Sequence, residues 1–250
     1  MSSDEIVLFD IPTKGPRRTP WSYNPFKARL LLNYKGIPFR TEWLEYPEIG
    51  PRLQGHVPPI PDDTPAYTLP ATRFPGDLYV MDSLAIAQYI NTTYPSPPLP
   101  ITTPEYEPFR TLARDIMVPL HRALQPLVFR RLLSPESQAF WRLTREPEHG
   151  MTMEELEARH VTDRDGWNKA WEAAREPTAG MTALLAAKGG PFFQGSDVSW
   201  PDLVWGSTLL FFEKIGDDVL GAFLDGAGEG REVHLRLLEA VRGWTGGWEE

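Results

Sequence analysis

The sequence predicts an α/β region followed by an all-helical region. Nineteen of the 26 prolines lie within the first 108 positions, and a proline-dense segment disfavours long helices because each internal proline removes a backbone hydrogen bond. The later part of the chain instead contains long stretches whose apolar residues recur at helical spacing. Between the two lies YPSPPLPITTP at 94–104, where five prolines in eleven residues indicate a stiff linker. We therefore expect domains at residues 1–94 and 105–250, joined by a linker at 95–104.

The first region is expected to contain short strands and helices in the order β-α-β-α-β-β-α. Glu5–Phe9 is a short apolar run typical of a strand. Asn24 and Pro25 are typical of the N-cap and first position of a helix, which is expected to end at Gly36. The remaining expected elements are a strand at Phe39–Glu45, a short helix around Ile49–Gln54, strands at Tyr67–Leu69 and Asp77–Met81 joined by a turn at Pro75-Gly76, and a helix at Ser83–Thr93.

The second region is expected to consist of helices and connecting loops. Pro119 and Pro126 lie inside the first helical stretch and are expected to kink it rather than end it, since the apolar spacing continues past both. Ser199 and Asp202 have the spacing of a capping box, and the nearly all-apolar helix after them is expected to lie in the core. The predicted helices are Glu105–Leu133, Met153–Ala187, Trp200–Ile215 and Arg231–Trp244.

Charge and hydropathy exclude several classes of protein. The formal charge of −9 repels nucleic-acid phosphates and anionic lipid surfaces. No apolar run reaches the roughly 18 residues of a membrane helix, and the first residues carry acids where a signal peptide carries lysines. We therefore expect a cytoplasmic protein that binds neither nucleic acid nor membrane.

The sequence predicts no metal site. The absence of cysteine excludes disulfides, thiolate-bound zinc and iron–sulfur clusters. The five histidines include no pair at i and i+4, no HExxH motif and no clustered Asp/His set. The glycine-rich run at 226–230 follows no predicted strand, so we interpret it as a loop between helices rather than a dinucleotide site.

The loop before the first helix is the first of three segments that suit one ligand. The predicted element order resembles the thioredoxin-like fold, whose redox members carry C-x-x-C in this loop. Here Ser22 stands in the loop, and its hydroxyl and the positive end of the helix together favour a bound thiolate. Asn24, a further polar group near that end, is expected to contact the same ligand. A loop serine that caps its own turn is the alternative.

The other two segments are Leu69-Pro70 and Asp82-Ser83. In the thioredoxin-like fold a cis proline at the position of Pro70 turns the N–H and C=O of the preceding residue, here Leu69, towards an extended peptide. The Ser83 hydroxyl and the helix amides suit a carboxylate, while Asp82 suits an ammonium group; a plain helix cap is the alternative. A thiol, a peptide backbone and an α-amino-acid head together describe glutathione.

These segments, the proline-rich linker and the Ser199-x-x-Asp202 box resemble the cytosolic glutathione transferase family. The tracts PWSYN at 20–24 and NYKGIP at 33–38 further resemble the fungal FuA class, which is similar to bacterial β-etherases acting on aryl ethers. Many members have Glu where Asp82 stands, so the resemblance implies a looser or water-bridged ammonium contact. It implies that Ser22 hydrogen-bonds the glutathione sulfur, that Leu69 and Pro70 clamp its backbone, and that Asp82 and Ser83 bind its γ-glutamyl end.

The ligand for the glycyl carboxylate of glutathione is less defined, because the proline-rich stretch 46–66 replaces the usual compact helical region. Gln54, Arg52 and His56 are the candidates there, and Gln54 ranks first. An ordinary exposed loop residue is the alternative for all three.

The resemblance implies an enzyme of detoxification that activates the glutathione thiol for attack on hydrophobic, aromatic electrophiles, with glutathione as cosubstrate and a two-fold homodimer as the assembly. A non-catalytic, ligandin-type carrier of aromatic small molecules is the alternative, since nine tryptophans offer stacking surfaces. Ordinary core packing is the alternative for each residue of the expected substrate pocket. That pocket comprises Tyr23, Phe26, Met117, Leu120 and His121.

Overall fold

A four-stranded mixed sheet forms the centre of the first part of the chain in a computed structural model that describes residues 4–61 and 65–247. The strand order is β2-β1-β3-β4, with β1 parallel to β2 and the other two pairs antiparallel. Every residue of β1 is buried, as expected of a strand covered on both faces. The strands are β1 (Val7–Asp10), β2 (Arg40–Trp43), β3 (Ala71–Phe74) and β4 (Leu78–Met81).

Three helices accompany the sheet, and the cap of the first differs from the prediction. The helices are α1 (Tyr23–Tyr34), α2 (Tyr46–Leu53) and α3 (Ser83–Thr93). Ser22, not Asn24, is the N-cap of α1, because its backbone is extended and its carbonyl accepts the first helical hydrogen bond from Phe26 N at 3.1 Å. Asn24 therefore lies inside the first turn.

The strand predicted at Tyr67–Leu69 is wrong. Pro70 has no N–H to donate, and the ladder begins only after it, where Ala71 pairs with Phe9 on one side and Met81 on the other. The predicted turn at Pro75-Gly76 is confirmed, and Gly76 supplies its positive φ of 78°. The short helix expected around 49–54 begins earlier, at Tyr46. Residues 62–64 of the proline-rich stretch lie outside the described residues.

The chain divides into two compact units, each made of more than one segment of the sequence. The first unit holds the described residues up to Leu99, together with 133–140 and those from Arg242 onwards; the second holds 100–132 and 141–241. The segment at 133–140 joins the first unit through Ser134 and Ser137, whose hydroxyls donate to Glu45 at 2.6 and 2.5 Å. Neither this segment nor the late one was expected in the first unit, because both lie far from it in the sequence.

A buried ion pair connects the elements of the first unit. Arg29 of α1 donates to Asp10 of β1 at 2.8 Å, and both side chains are fully buried. The same guanidinium donates to Thr41 on β2 and to the carbonyls of Gly246 and Gly247 at 3.0 to 3.1 Å. One side chain thus holds the sheet, the first helix and a late segment of the chain together.

The second unit is helical, and helices α5 and α9 were not predicted. Both are amphipathic, but α5, whose residues 135–140 belong to the first unit, is rich in charged residues and contains Pro147, and α9 contains two glycines. The single helix predicted at Met153–Ala187 is broken at Asp163, whose extended backbone starts a new helix and whose carboxylate caps it by accepting from Asp165 N at 3.1 Å. The helices are α4 (Tyr106–Arg131), α5 (Pro135–His149), α6 (Met153–Glu157), α7 (Arg164–Ala186), α8 (Trp200–Ile215), α9 (Asp217–Ala227) and α10 (Arg231–Arg242), with a π-helical segment at Ala158–Thr162.

The capping box before α8 is confirmed. The Asp202 carboxylate accepts from Ser199 N at 2.7 Å and from its hydroxyl at 2.6 Å, and also from Phe193 N at 2.7 Å. Burial raises the pKa of Asp202 to about 6, although these hydrogen bonds work against that shift. All but three of the sixteen α8 residues are buried, so the helix lies in the core as predicted.

Two further predictions for the second unit are confirmed. As predicted, Pro119 and Pro126 lie inside α4 without ending it, while the kink expected at them stays a prediction. The glycine-rich run at 226–230 lies at the junction of α9 and α10, where Gly228–Gly230 form a short 3₁₀ turn. Among the described residues, no helix is both long and apolar enough to cross a bilayer.

Candidate active site

Ser22 lies at the N-terminus of α1, with 7% of its surface exposed. Its side chain makes no capping hydrogen bond, so the hydroxyl is not used by the helix itself. The neighbouring Trp21 is buried and donates from Nε1 to the carbonyl of Pro12 at 3.1 Å, which holds the loop in place. Ser22 thus presents a hydroxyl where the unpaired amides of a helix start create a positive potential.

A lysine that the sequence analysis missed lies in the second turn of the same helix. Lys27 donates from Nζ to Asn24 Oδ1 at 2.8 Å, and its ammonium lies 4.9 Å from the centre of the Tyr23 ring. Burial lowers the pKa of Lys27 to about 8, while the Asp82 carboxylate raises it. The position of Lys27 three residues after Asn24 could have indicated this contact. Helical side chains point towards the N-terminus, so a residue in the second turn reaches the first. Burial also raises the pKa of the Tyr23 phenol.

The Leu69-Pro70 peptide is cis. Within the described part of the chain, neither the N–H nor the C=O of Leu69 makes a hydrogen bond, although the residue is largely buried. The carbonyl of Pro70 accepts from Asp82 N at 3.2 Å. The fold therefore brings together the second and third predicted segments, and it leaves the backbone of Leu69 available to a peptide-like ligand.

Asp82 is the N-cap of α3, and it has the unusual φ of 86°. Its Oδ1 accepts from Leu84 N and Ala85 N at 2.9 Å each, so the helix cap considered as the alternative is present. The carboxylate is exposed, and among the described residues Oδ2 makes no hydrogen bond. Ser83 follows as the first residue of α3 and is half-buried. A non-glycine residue with positive φ is strained, and such residues concentrate at functional sites.

The three candidates for the glycyl carboxylate differ in their partners. Arg52 donates to Glu42 at 2.6 Å and to the Tyr79 hydroxyl at 3.2 Å. The ring of His56 stacks on that of Tyr79 with the ring centres 4.2 Å apart. Gln54 is exposed just after α2, and its side chain makes no hydrogen bond within the described ranges. Gln54 is therefore the candidate whose side chain has no partner among the described residues.

The residues expected to form the substrate pocket fall into two groups. Phe26 in the first unit and Leu120 in the second are completely buried. Tyr23 and Met117 are half-buried, and His121 is exposed.

His121 belongs to a cluster that the sequence analysis excluded. Gln125 donates from its amide to His121 Nε2 at 2.7 Å and accepts from His149 Nε2 at 2.7 Å. Ligating atoms of His121, Glu148 and His149 all lie within 4.8 Å of one another. Burial lowers the pKa of both imidazoles, while the Glu148 carboxylate raises it. The sequence has no clustered Asp/His set, and this group of two histidines and one glutamate arises because the unpredicted helix α5 places Glu148 and His149 beside α4.

Comparison with known proteins decides the family. Residues 21–93 match the model of the glutathione S-transferase N-terminal domain, and residues 109–220 match that of the C-terminal domain. A glutathione S-transferase-like protein of Aspergillus flavus, ustS, is 30% identical over 258 aligned positions that cover 95% of this chain and 91% of the relative. The chain belongs to the glutathione S-transferase family.

This glutathione transferase is similar over its whole length to solved fungal structures. GSTFuA3 of Phanerochaete chrysosporium is 29% identical, has a TM-score of 0.81, and is matched over 96% of this chain and 97% of that one. A glutathione S-transferase of Ceriporiopsis subvermispora, solved in complex with glutathione, is 28% identical with a TM-score of 0.80 and coverage of 95% and 98%. The predicted family, its fungal FuA character and the fold of a thioredoxin-like domain with a helical domain are confirmed.

Proposed function

We propose that this transferase binds glutathione in its first unit and activates the thiol as a thiolate beside Ser22, for attack on hydrophobic aromatic electrophiles including aryl ethers. The observation that carries the proposal is the hydrogen bond from Asp82 N to the Pro70 carbonyl at 3.2 Å, which links the second and third predicted segments. The Asp82 carboxylate also acts electrostatically on Lys27, which donates to Asn24 on the first turn of α1. These links support a shared site for the three segments. A relative solved with glutathione supports the choice of ligand.

Thiolate formation is the step that the site must favour. A free thiol has a pKa near 8.5, and lowering it by roughly two units requires about 2.7 kcal/mol of preferential stabilisation of the charged form. The Ser22 hydroxyl and the N-terminus of α1 each interact better with the thiolate than with the thiol. The ammonium of Lys27, which reaches Asn24 on the first turn, adds positive charge to this region.

In the proposed reaction, the thiolate sulfur donates an electron pair to an electrophilic carbon and forms a C–S bond. The bond from that carbon to its leaving group breaks, and the leaving group departs with the electron pair. An aryl ether would release a phenolate, which takes a proton from water. Ser22 loses no proton overall, because it acts as a hydrogen-bond donor to the sulfur.

The rest of glutathione is assigned to three groups of atoms. The free backbone of Leu69, preceding Pro70, pairs with the cysteinyl backbone of the tripeptide. The Ser83 hydroxyl and the free oxygen of Asp82 take the γ-glutamyl carboxylate and ammonium. Gln54 takes the glycyl carboxylate. A two-fold homodimer and a cytoplasmic location remain predictions that accompany this proposal.

A carrier of aromatic molecules is the second candidate function, and an open pocket in the helical unit favours it. The pocket has a volume of about 440 Å³ and lies between α7 and α9. Trp167 and Trp171 line it with their rings edge to face, 5.5 Å apart. Such rings suit a flat aromatic guest.

The two functions separate in one experiment on Ser22→Ala. Losing a donor to the charged form should raise the pKa of the bound thiol and slow conjugation of a model electrophile, while aromatic binding is unchanged. Thiolate absorbance against pH and turnover are measured together, with Ser196→Ala, an exposed serine of the other unit, as the control. An unchanged titration and rate would remove Ser22 from the mechanism. Tight aromatic binding without turnover by the wild type would favour the carrier.

A further inference from the structure

We infer that His121, Glu148 and His149 form a binding site for a divalent transition-metal ion of the zinc, copper and nickel group in the helical unit. The site is separate in chemistry from the glutathione groups proposed above and does not depend on them. Two imidazoles and one carboxylate are the donor set that such ions prefer, whereas calcium and magnesium require oxygen ligands. Three protein ligands leave at least one coordination position for water or a small anion.

The spacing of the three side chains is close to that of a bound ion. Their ligating atoms lie within 4.8 Å of one another, and ligands about 2.1 Å from a tetrahedral ion are roughly 3.4 Å apart. Bringing the ligating atoms to the spacing of a bound ion requires each side chain to move by about 1 Å. His121 and Glu148 are exposed, so their side chains can rotate without disturbing the core.

Gln125 already orients both imidazoles towards one point. Its amide N–H₂ can only donate, so His121 Nε2 is the unprotonated acceptor, and the lone pair that Gln125 now occupies is the one a metal would take. Its amide oxygen can only accept, so His149 Nε2 carries the proton in this contact. Metal binding would move that proton to the other ring nitrogen, and the Gln125 contacts would give way to metal–nitrogen bonds of greater strength.

Two arginines oppose a cation at this position. Arg145 lies 3.5 Å from the Glu148 carboxylate, and Arg122 and Arg145 both act on the two imidazoles. Repulsion from these guanidiniums should hold the affinity well below that of a structural zinc site. It also gives the proposal a distinctive consequence, because Arg145→Gln should tighten metal binding by freeing Glu148 and removing a positive charge.

The experiment is a Co²⁺ titration of the untagged, chelator-treated full chain without glutathione, followed by visible absorbance, with Zn²⁺ competition. We expect one saturable ion per chain, at least tenfold weaker binding in His121→Ala and in His149→Ala, several-fold weaker binding in Glu148→Gln, and several-fold tighter binding in Arg145→Gln. His56→Ala, in the first unit, is the matched control and should bind as the wild type does. Thermal melts confirm that each variant is folded.

Two results would overturn the inference. One is the absence of saturable binding by the wild type at millimolar Co²⁺ or Zn²⁺. The other is wild-type affinity in a folded His121→Ala/His149→Ala double variant, which would place any bound ion elsewhere on the protein. Weaker binding in Arg145→Gln would likewise contradict the assigned role of Glu148.

Discussion

Lys27 is a charged side chain held where both burial and the helix dipole oppose its charge. Its partners are the Asn24 amide oxygen at 2.8 Å and the Asp82 carboxylate at longer range. With a pKa of about 8 in the folded state and about 10.4 in the unfolded state, the residue binds fewer protons when folded between these values. Stability therefore rises with pH through that window, and below pH 8 the penalty for the charge is fully present.

Lys27→Met should consequently stabilise the ligand-free protein and weaken its function. We expect a gain of about 1 to 2 kcal/mol at pH 7, discounted for partial solvent exposure, which disappears as the pH rises from 8 to 10.5. The thiol pKa of bound glutathione should rise in the same variant and return in Lys27→Arg. Denaturant unfolding at several pH values and thiolate absorbance measure the two effects. Lys169→Met, at an exposed position, should change neither.

His234 makes the folded protein sensitive to acid. The imidazole is fully buried, accepts from Trp205 Nε1 at 3.0 Å, and contacts the Thr182 hydroxyl at 2.8 Å. Burial lowers its pKa to about 4, so the unfolded chain binds more protons than the folded one between about pH 6.5 and 4. About 3 kcal/mol of stability should be lost as the pH falls through that window.

His234→Asn tests this acid sensitivity. The variant loses packing at every pH, but its stability should fall less steeply than that of the wild type between pH 6.5 and 4. Asp202 titrates in the opposite direction in both proteins, so it cancels in the difference. Urea unfolding across the pH range is the measurement, and the exposed His56→Asn is the control. Parallel pH curves for His234→Asn and the wild type would show that His234 is not responsible.

At the scale of single elements, the sequence predicted a helix start best where its side chains form a capping motif. Ser199 and Asp202 predicted the start of α8, because a capping box is formed by residues that are close in the sequence. The start of α1 was misplaced by two residues, since Ser22 caps through its backbone alone and leaves no such signal. Helix α5 was not predicted although it is amphipathic, and the cluster around His149 was lost with it. Lys27 was missed because burial decides its chemistry, and burial is a property of the folded chain.

The start of α3 allows its two roles to be separated by one substitution. Asp82→Asn preserves an oxygen that can cap Leu84 and Ala85, and Asn tolerates positive φ, so the stability should change by less than about 1 kcal/mol. The loss of the charge should weaken glutathione binding by about 1.5 to 3 kcal/mol, or roughly 10- to 150-fold. Calorimetry and urea unfolding measure the two effects. Asp163→Asn, at the cap of α7, should leave glutathione affinity unchanged, and wild-type affinity in Asp82→Asn would limit Asp82 to a cap.

At the scale of the whole molecule, Arg29 unites parts of the chain that are more than two hundred residues apart. Removing its guanidinium would leave the Asp10 carboxylate buried without a counter-ion. Arg29→Met should therefore destabilise the protein by about 3 to 5 kcal/mol. The double variant Asp10→Leu/Arg29→Met, which removes both charges, should recover part of this loss. Urea unfolding of both variants is the measurement, and equal destabilisation in the two would mean that the unpaired charge is not the cause.

The contacts of Arg29 also determine when the first unit can be completed during synthesis. Its sheet and three helices are made early, yet two carbonyls that its guanidinium bonds belong to Gly246 and Gly247. Domains generally fold in the order in which they leave the ribosome. Here Arg29 has its Asp10 partner early, but it lacks these two carbonyls until residues 246 and 247 have been translated. All residues of the helical unit are therefore synthesised before the first unit can form its last hydrogen bonds.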